Sequence, residues 1–338
     1  MNETLAEIGS VPQIWRPKRP IMKLIIQIPC YNEEASLPVT IKELPRKVEG
    51  FDQVEWLIID DGSIDRTCEV AREMGIDHIV SLPQNQGLAK AFMAGIEACC
   101  SLGADVIVNT DADNQYNSAD IPLLVKPILE GHAEMVVGAR PIDDIEHFSR
   151  RKKFLQRLGS WTVKIASKTD VPDAPSGFRA FSRKAALKLN VFDGYTYTLE
   201  TIIQAGRAGI SISSVPIRTN KDLRPSKLVK SIFRYVRLSS LTILRVFTIY
   251  KPFRIFFTVG SLFFVAGIAL GIRWLYLFFI EQTIRTHVPS LILTSILITL
   301  GTIICMMAVI ADLLAVNRTL LEDIKYRIRK LEADKESK

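Results

Sequence analysis

Two carboxylates and an amide recur at alternate positions in Asp111-Ala112-Asp113-Asn114-Gln115. Oxygen donors of this kind suit a hard divalent cation, which commonly takes one or two protein carboxylates and fills its other positions with water and phosphate oxygens. The stretch follows residues 105–110, DVIVNT, a run with strand character. Alternate side chains of an extended segment point the same way, so Asp111, Asp113 and Gln115 can converge on one ion that clamps a nucleotide diphosphate. The same residues also fit a solvated acidic turn. The choice between the two depends on what the rest of the chain brings to the same end of the fold.

Strands are expected at 24–29, 54–59, 78–81, 105–110, 134–138 and 212–215, with the first stopped by Pro29. Helices are expected at 36–47, 65–74, 88–101, 119–130 and 197–207. This alternation predicts an α/β fold with a mostly parallel sheet flanked by helices. In such sheets ligands bind at the carboxyl ends of the strands. Three strands run into polar clusters at that end: Cys30-Tyr31-Asn32-Glu33-Glu34, Asp60-Asp61-Gly62-Ser63 and the Asp111 stretch. Three clusters on one rim favour a site over a solvated turn. No G-x-G-x-x-G follows the first strand, which argues against a dinucleotide-dependent dehydrogenase, and no G-x-x-x-x-G-K-[ST] occurs, which removes the P-loop reading.

The chain has 338 residues and a net charge of +7. The positive excess is clustered in Lys221, Arg224, Lys227, Lys230, Arg234, Arg237, Arg245, Lys251 and Arg254, directly before an apolar run. That place favours an anionic membrane surface over nucleic acid as the partner. Residues 226–250 form an amphipathic helix candidate that either lies in the headgroup region or packs on the soluble domain. Residues 255–272 and 288–311 carry no charge, and each is long enough to span a bilayer at roughly 20 residues per crossing. The short link between them makes a hairpin, and the Lys/Arg excess on both outer flanks predicts cytoplasmic ends. The expected organisation is an N-terminal arm (1–22), a catalytic domain (23–220), an amphipathic juxtamembrane segment (221–252), two transmembrane helices (253–316, spans about 253–277 and 288–312) and a cytoplasmic tail (317–338), exposed or oligomerising. The five cysteines (30, 68, 99, 100 and 305) form no C-x-x-C pair and read as reduced thiols in a cytosolic domain. Residues 1–23 have no apolar h-region, so no cleaved signal peptide is expected.

In order along the chain come Pro29-Cys30-Tyr31-Asn32-Glu33-Glu34, Asp60-Asp61-Gly62-Ser63-Ile64-Asp65, Asn85-Gln86-Gly87, Asp111-Ala112-Asp113-Asn114-Gln115 and Ser176-Gly177-Phe178-Arg179. Together they resemble the family 2 inverting glycosyltransferases of GT-A fold, the nucleotide-diphospho-sugar transferase fold. Within these the chain is similar to the polyprenyl-phosphate, dolichol-phosphate mannosyltransferase-like branch over about residues 23–220. The resemblance implies that Pro29, Tyr31, Glu33, Asp61 and Asp111 hold the nucleotide. It implies that Asp111, Asp113 and Gln115 bind Mg²⁺ or Mn²⁺, with Asp113 central to catalysis. Arg140, one or more of Arg150, Arg151 and Arg157, and Ser176 fall where the family holds the acceptor phosphate. The run from Arg150 to Lys153 fits a patch on anionic lipid equally well. Asp173 is either the base, if one is used, or the cap of a turn. Glu200 and Arg224-Pro225-Ser226-Lys227 also look like family elements that close the site or dock to membrane. Tyr116-Asn117-Ser118 departs from the proline common after this element in mannosyltransferases, which leaves the donor sugar open. Gly177 answers to a close backbone approach or a positive φ.

The expected function is transfer of one sugar, with inversion, from a UDP- or GDP-linked hexose to undecaprenyl or dolichyl phosphate. It would take place on the cytoplasmic face of a bacterial inner or plasma membrane, by an integral membrane protein and possible homo-oligomer. The alternatives are another lipid or polysaccharide acceptor, or a non-catalytic nucleotide-sugar-binding membrane partner. A processive synthase would carry more spans and a Q-x-x-R-W element, and the sequence shows neither.

Overall fold

The computed structural model describes residues 21–141, 169, 171–191, 197–220, 248, 252–281 and 288–336. The basic stretch holding Arg150, Arg151 and Arg157, the Arg224–Lys227 element, most of the N-terminal arm and nearly all of the juxtamembrane segment lie outside these residues.

In chain order the elements are β1 (Lys23–Cys30), α1 (Leu37–Glu43), β2 (Gln53–Asp60), α2 (Thr67–Glu73), β3 (His78–Ser81), α3 (Leu88–Ser101), β4 (Val106–Asn109), α4 (Ile121–Leu129), β5 (Met135–Ala139), β6 (Arg179–Ser182), α5 (Arg183–Lys188), α6 (Thr198–Arg207), β7 (Ile212–Pro216), α7 (Pro252–Glu281) and α8 (Val288–Glu336). The strands form one sheet in the order β3-β2-β1-β4-β6-β5-β7. All neighbouring pairs are parallel except those of β6, which runs antiparallel to both β4 and β5. The sheet separates two cores. Ile25, Leu57, Ile59 and Ile107 face α3, α5 and α6, while Leu24, Ile26, Ile28, Ile58 and Val108 face α1, α2 and α4. Burial on both faces explains why β1, KLIIQIPC, is apolar nearly throughout instead of alternating.

Four features differ from the sequence-based expectation. First, β1 continues past Pro29 to Cys30. The β1–β4 ladder ends at Gln27↔Asn109, so the proline nitrogen falls where no ladder bond is required. Second, β6 and α5 were not expected. Four residues, RAFS, carry too little pattern to announce a strand, and β6 is held by antiparallel pairing with β4 on one side and β5 on the other. Third, α1 and α2 are shorter than their apolar periodicity, at seven residues each. Fourth, the second apolar helix and the tail are one uninterrupted helix of 49 residues, about 73 Å long at 1.5 Å per residue. No glycine or proline follows Gly301 before its end, so nothing stops it.

Both α7 and α8 contain stretches long and apolar enough to cross a membrane. They pack through small residues: a Cβ on Gly301 would lie 2.7 Å from the Phe264 nitrogen, and one on Gly260 would lie 2.6 Å from Cys305 Sγ. Contact this close is how helices associate where lipid removes the hydrophobic drive.

Candidate active site

The carboxyl ends of β1, β2 and β4 each release the chain into a tight turn. Two of these turns need left-handed backbone at an asparagine, Asn32 at φ 54° and Asn114 at φ 57°, which Asn tolerates better than most residues. Asn32 Oδ1 accepts from Ile64 N, and Asn32 N donates to Ser63 Oγ, tying the first turn to the second. Glu33 is buried and accepts from Ser36 Oγ at 2.5 Å. Tyr31 is exposed beside it. Asp61 is 3% exposed, and its carboxylate accepts from the backbone nitrogens of Gln86 (2.7 Å) and Gly87 (2.9 Å). It therefore shapes the Asn85-Gln86-Gly87 loop. Gly62 sits against that loop with φ +69°, where a Cβ would overlap the Gln84 and Asn85 backbone.

Through the turn after β4, burial alternates. Ala112, Asn114 and Tyr116 are buried, while Asp111, Asp113 and Gln115 are partly open, the common face expected from the spacing. Burial and the adjacent Asp113 push the Asp111 carboxyl upward, against the pull of Arg140 and Arg179. Among the described residues the Asp111 oxygens take no hydrogen bond, and both lie 3.0 Å from where a Cβ on Gly177 would stand. Two crowded, partly desolvated carboxylates with an amide oxygen are a donor set that fits a hard divalent cation. Among the described residues no three His, Cys, Asp or Glu side chains cluster as a metal site, so substrate oxygens would complete the coordination.

Arg140 follows β5 and sits at the centre of a second polar cluster beside the acidic turn. Its Nε and Nη2 donate to Asp173 Oδ2 and Oδ1 at 2.7 and 3.0 Å, and Nη1 reaches Gln115 Oε1 at 3.4 Å. Asp173 is fully buried, and its Oδ2 also accepts from Arg140 N. Both oxygens are thus held by one guanidinium. Asp173, read from the sequence as a base or the cap of a turn, is placed in the structure as a buried counter-ion to Arg140. Removing one partner of such a buried pair typically costs about 3–5 kcal/mol. Among the described residues Ser176 Oγ is buried without a hydrogen-bond partner.

Residues not anticipated from sequence hold these groups. Gln27 Nε2 donates to Asn109 Oδ1 across the β1–β4 register, and Asn109 Nδ2 donates to Gly177 O and Tyr197 Oη, each at 2.9 Å. Tyr197 stacks on Phe92. Tyr116 Oη accepts from Gly177 N. Gly177 is therefore clamped against Asp111 from both sides, and it has no positive φ, so close approach is what requires glycine there. Arg179 is wholly buried and donates to the carbonyls of Ala174, Ser176 and Thr198 and to Thr201 Oγ1. Burial lowers it to about 10, so it stays cationic at neutral pH. After β7, Arg218 grips Asp120, and Asn220 N donates to Gln115 O, strapping the Asp111–Gln115 turn to the chain that leads on to the apolar helices. A lone polar residue in each of two apolar strands, Gln27 and Asn109, was the available signal for this network.

A family model described as Glycosyl transferase family 2 matches residues 25–189. A UDP-N-acetylglucosamine–dolichyl-phosphate N-acetylglucosaminyltransferase of Methanococcus voltae is 30% identical over 57% of this chain and 83% of that protein. A polyprenol monophosphomannose synthase of Mycolicibacterium smegmatis is 27% identical over 64% of this chain and 84% of that one. In fold, the chain is similar to glucosyl-3-phosphoglycerate synthase of Mycobacterium tuberculosis crystallised with Mn²⁺, uridine diphosphate and phosphoglyceric acid. That match has a TM-score of 0.52 and 22% identity, covering 66% of this chain and 78% of the other. An acidic turn at the carboxyl rim of a GT-A sheet, together with these relatives, establishes that the chain belongs to glycosyltransferase family 2 and is a glycosyltransferase.

Proposed function

We propose that the protein transfers one sugar from a nucleotide sugar to the phosphate of a polyprenyl phosphate, with inversion, at the cytoplasmic face of a membrane. The observation that carries this reading is the Arg140 cluster. Through Gln115 on one side and Asp173 on the other, it joins the acidic donor rim to a buried cation suited to a phosphate. Two apolar helices in the same chain favour a lipid acceptor, as do relatives named for dolichyl-phosphate and polyprenol substrates.

Arg140 orients the acceptor phosphate, and Asp173 fixes the plane of its guanidinium. The acceptor is a phosphate monoester that is already anionic, so it needs positioning more than deprotonation. Its oxygen forms the new bond to the anomeric carbon as the bond from that carbon to the nucleoside diphosphate breaks. Asp111, Asp113 and Gln115 would hold Mg²⁺ or Mn²⁺, which when bound supplies a Lewis acid for the charge on the departing diphosphate. Pro29, Tyr31, Glu33 and the Asp61-organised loop line the nucleotide side.

The test is a transfer assay in detergent or lipid with short polyprenyl phosphate and a panel of labelled UDP- and GDP-sugars, with and without Mn²⁺ or Mg²⁺. Metal-dependent label in a mild-acid-labile lipid, reduced at least 100-fold in Asp113→Ala, is the expected result and names the sugar. Nucleotide-sugar binding without lipid product across the panel would overturn the acceptor assignment.

A further inference from the structure

The oxygen-bearing side chains of the acidic turn share one partly open face, and the backbone of the turn is held from elsewhere. Ala112 O accepts from Thr40 Oγ1 of α1 at 2.9 Å. Three further carbonyls meet a single residue, Asn220, in the segment after β7. Asn220 N donates to Gln115 O at 2.9 Å, and its Nδ2 lies 3.1 Å from Asn114 O and 3.5 Å from Tyr116 O. The same Nδ2 lies 3.1 Å from Glu43 Oε2 at the end of α1. An amide NH₂ has two protons, so Asn114 O and Glu43 are its nearer acceptors and Tyr116 O a longer contact. Beside it, Thr219 pairs with Tyr116 in an antiparallel bridge, and Asn117 N donates to Arg218 O at 3.3 Å.

Asn114 O and Gln115 O belong to the two peptide planes that flank the Gln115 Cα. Asn220 therefore fixes both planes, and with them the direction of the Gln115 side chain. The turn needs such a tie. Asn114 is left-handed at φ 57°, a conformation that L-residues leave readily for the right-handed or extended regions. Among the described residues its own Oδ1 is buried without a partner, so that atom does not hold the turn. Gln115 N donates to Asp113 Oδ1 at 3.2 Å and Gln115 Oε1 meets Arg140. A peptide that rotated about Asn114 would carry both contacts away. Asn220 stands 106 positions from Asn114 and beyond the family match, which ends at residue 189.

We infer that Asn220 is a positioning residue of the donor site. It acts through the backbone of the turn, holding Asp113 and Gln115 in the arrangement that takes the divalent cation and the nucleotide diphosphate. The inference rests on the donor role proposed above for the Asp111–Gln115 turn.

The experiment uses the full-length protein in detergent and follows free Mn²⁺ by electron paramagnetic resonance, with UDP or with GDP present. The wild-type protein is expected to withdraw Mn²⁺ from solution with one of the two nucleotides. Asn220→Ala should weaken this uptake about tenfold, the scale of one or two lost hydrogen bonds. Asn220→Asp keeps the shape, loses both amide protons and sets a carboxylate against Glu43, so it should bind no better than Asn220→Ala. A residue that only filled space would tolerate Asp better than Ala. Arg46→Ala loses an ion pair with Asp77 and leaves the strap untouched; it is the control for general destabilisation and should bind as the wild type does. Wild-type Mn²⁺ affinity in both Asn220 variants, or an equal loss in Arg46→Ala, would overturn the inference and leave the donor reading standing. No Mn²⁺ uptake by the wild-type protein with either nucleotide would overturn the donor reading and the inference with it.

Discussion

Gly177 is the residue whose replacement bears most directly on Asp111. A Cβ there would meet both Asp111 oxygens and Tyr197 Oη at 3.0 Å, and crowding of this sort typically costs about 1–3 kcal/mol. Gly177→Ala should lower kcat at least tenfold by displacing Asp111, with only a few degrees' change in melting temperature; steady-state kinetics beside a thermal melt reads both. Asp111 also sets a pH dependence. Burial and Asp113 raise its carboxyl to about 7, so below that pH the folded chain holds a proton that the unfolded chain has released. Metal-free protein should therefore gain stability as pH falls from about 7 toward the ordinary carboxylate range. The slope should be at most about 1.4 kcal/mol per pH unit. Asp111→Asn should flatten this profile, which melting curves from pH 5 to pH 8 would reveal. The acidic turn was legible in the sequence as a candidate only because two further polar clusters end neighbouring strands on the same rim. The role of Asp173 was not legible, because its guanidinium partner lies 33 positions away.

Among the elements, β4 contributes most to the site, since Asn109 ends the strand and Asp111 begins the turn. The pair Gln27–Asn109 is fully buried between β1 and β4. Asn109→Leu keeps the branched shape but is larger, strands the Gln27 amide, and leaves the Gly177 carbonyl only the long bond from Tyr197 Oη; a buried donor left unpaired costs about 1–3 kcal/mol. The variant should unfold at clearly lower denaturant concentration and lose activity, whereas Asn109→Asp should recover part of the stability through its remaining acceptor; chemical denaturation of the three proteins tests this. The strands β1 to β5 and β7 were legible from apolar runs bounded by turns. The reversed strand β6 was not, because its four residues take their conformation from two neighbours already in place.

For the molecule as a whole, α8 is both an apolar helix long enough to cross a membrane and a strut. Tyr326 and Arg329 fix its distal half to α3 and to the segment after α5, so the catalytic domain is joined to the apolar hairpin by a rigid helix as well as by the chain after β7. Tyr326→Ala combined with Arg329→Ala should free the tail. Limited proteolysis should then cleave α8 beyond Asn317 at least several times faster than in the wild-type protein, while the catalytic domain stays intact.

Local order was enough to announce the alternating α/β pattern, the acidic rim and two apolar segments of membrane-spanning length, since each is a short-range periodicity or a run of one residue type. The partners were decided only in three dimensions. Asp61 spends its charge on a loop 25 residues away, Asp173 on Arg140, and Arg218 on Asp120 across 98 residues. A buried charge takes whichever counter-group the packed sheet brings within hydrogen-bond reach, and that choice is a property of the fold and not of the neighbouring residues.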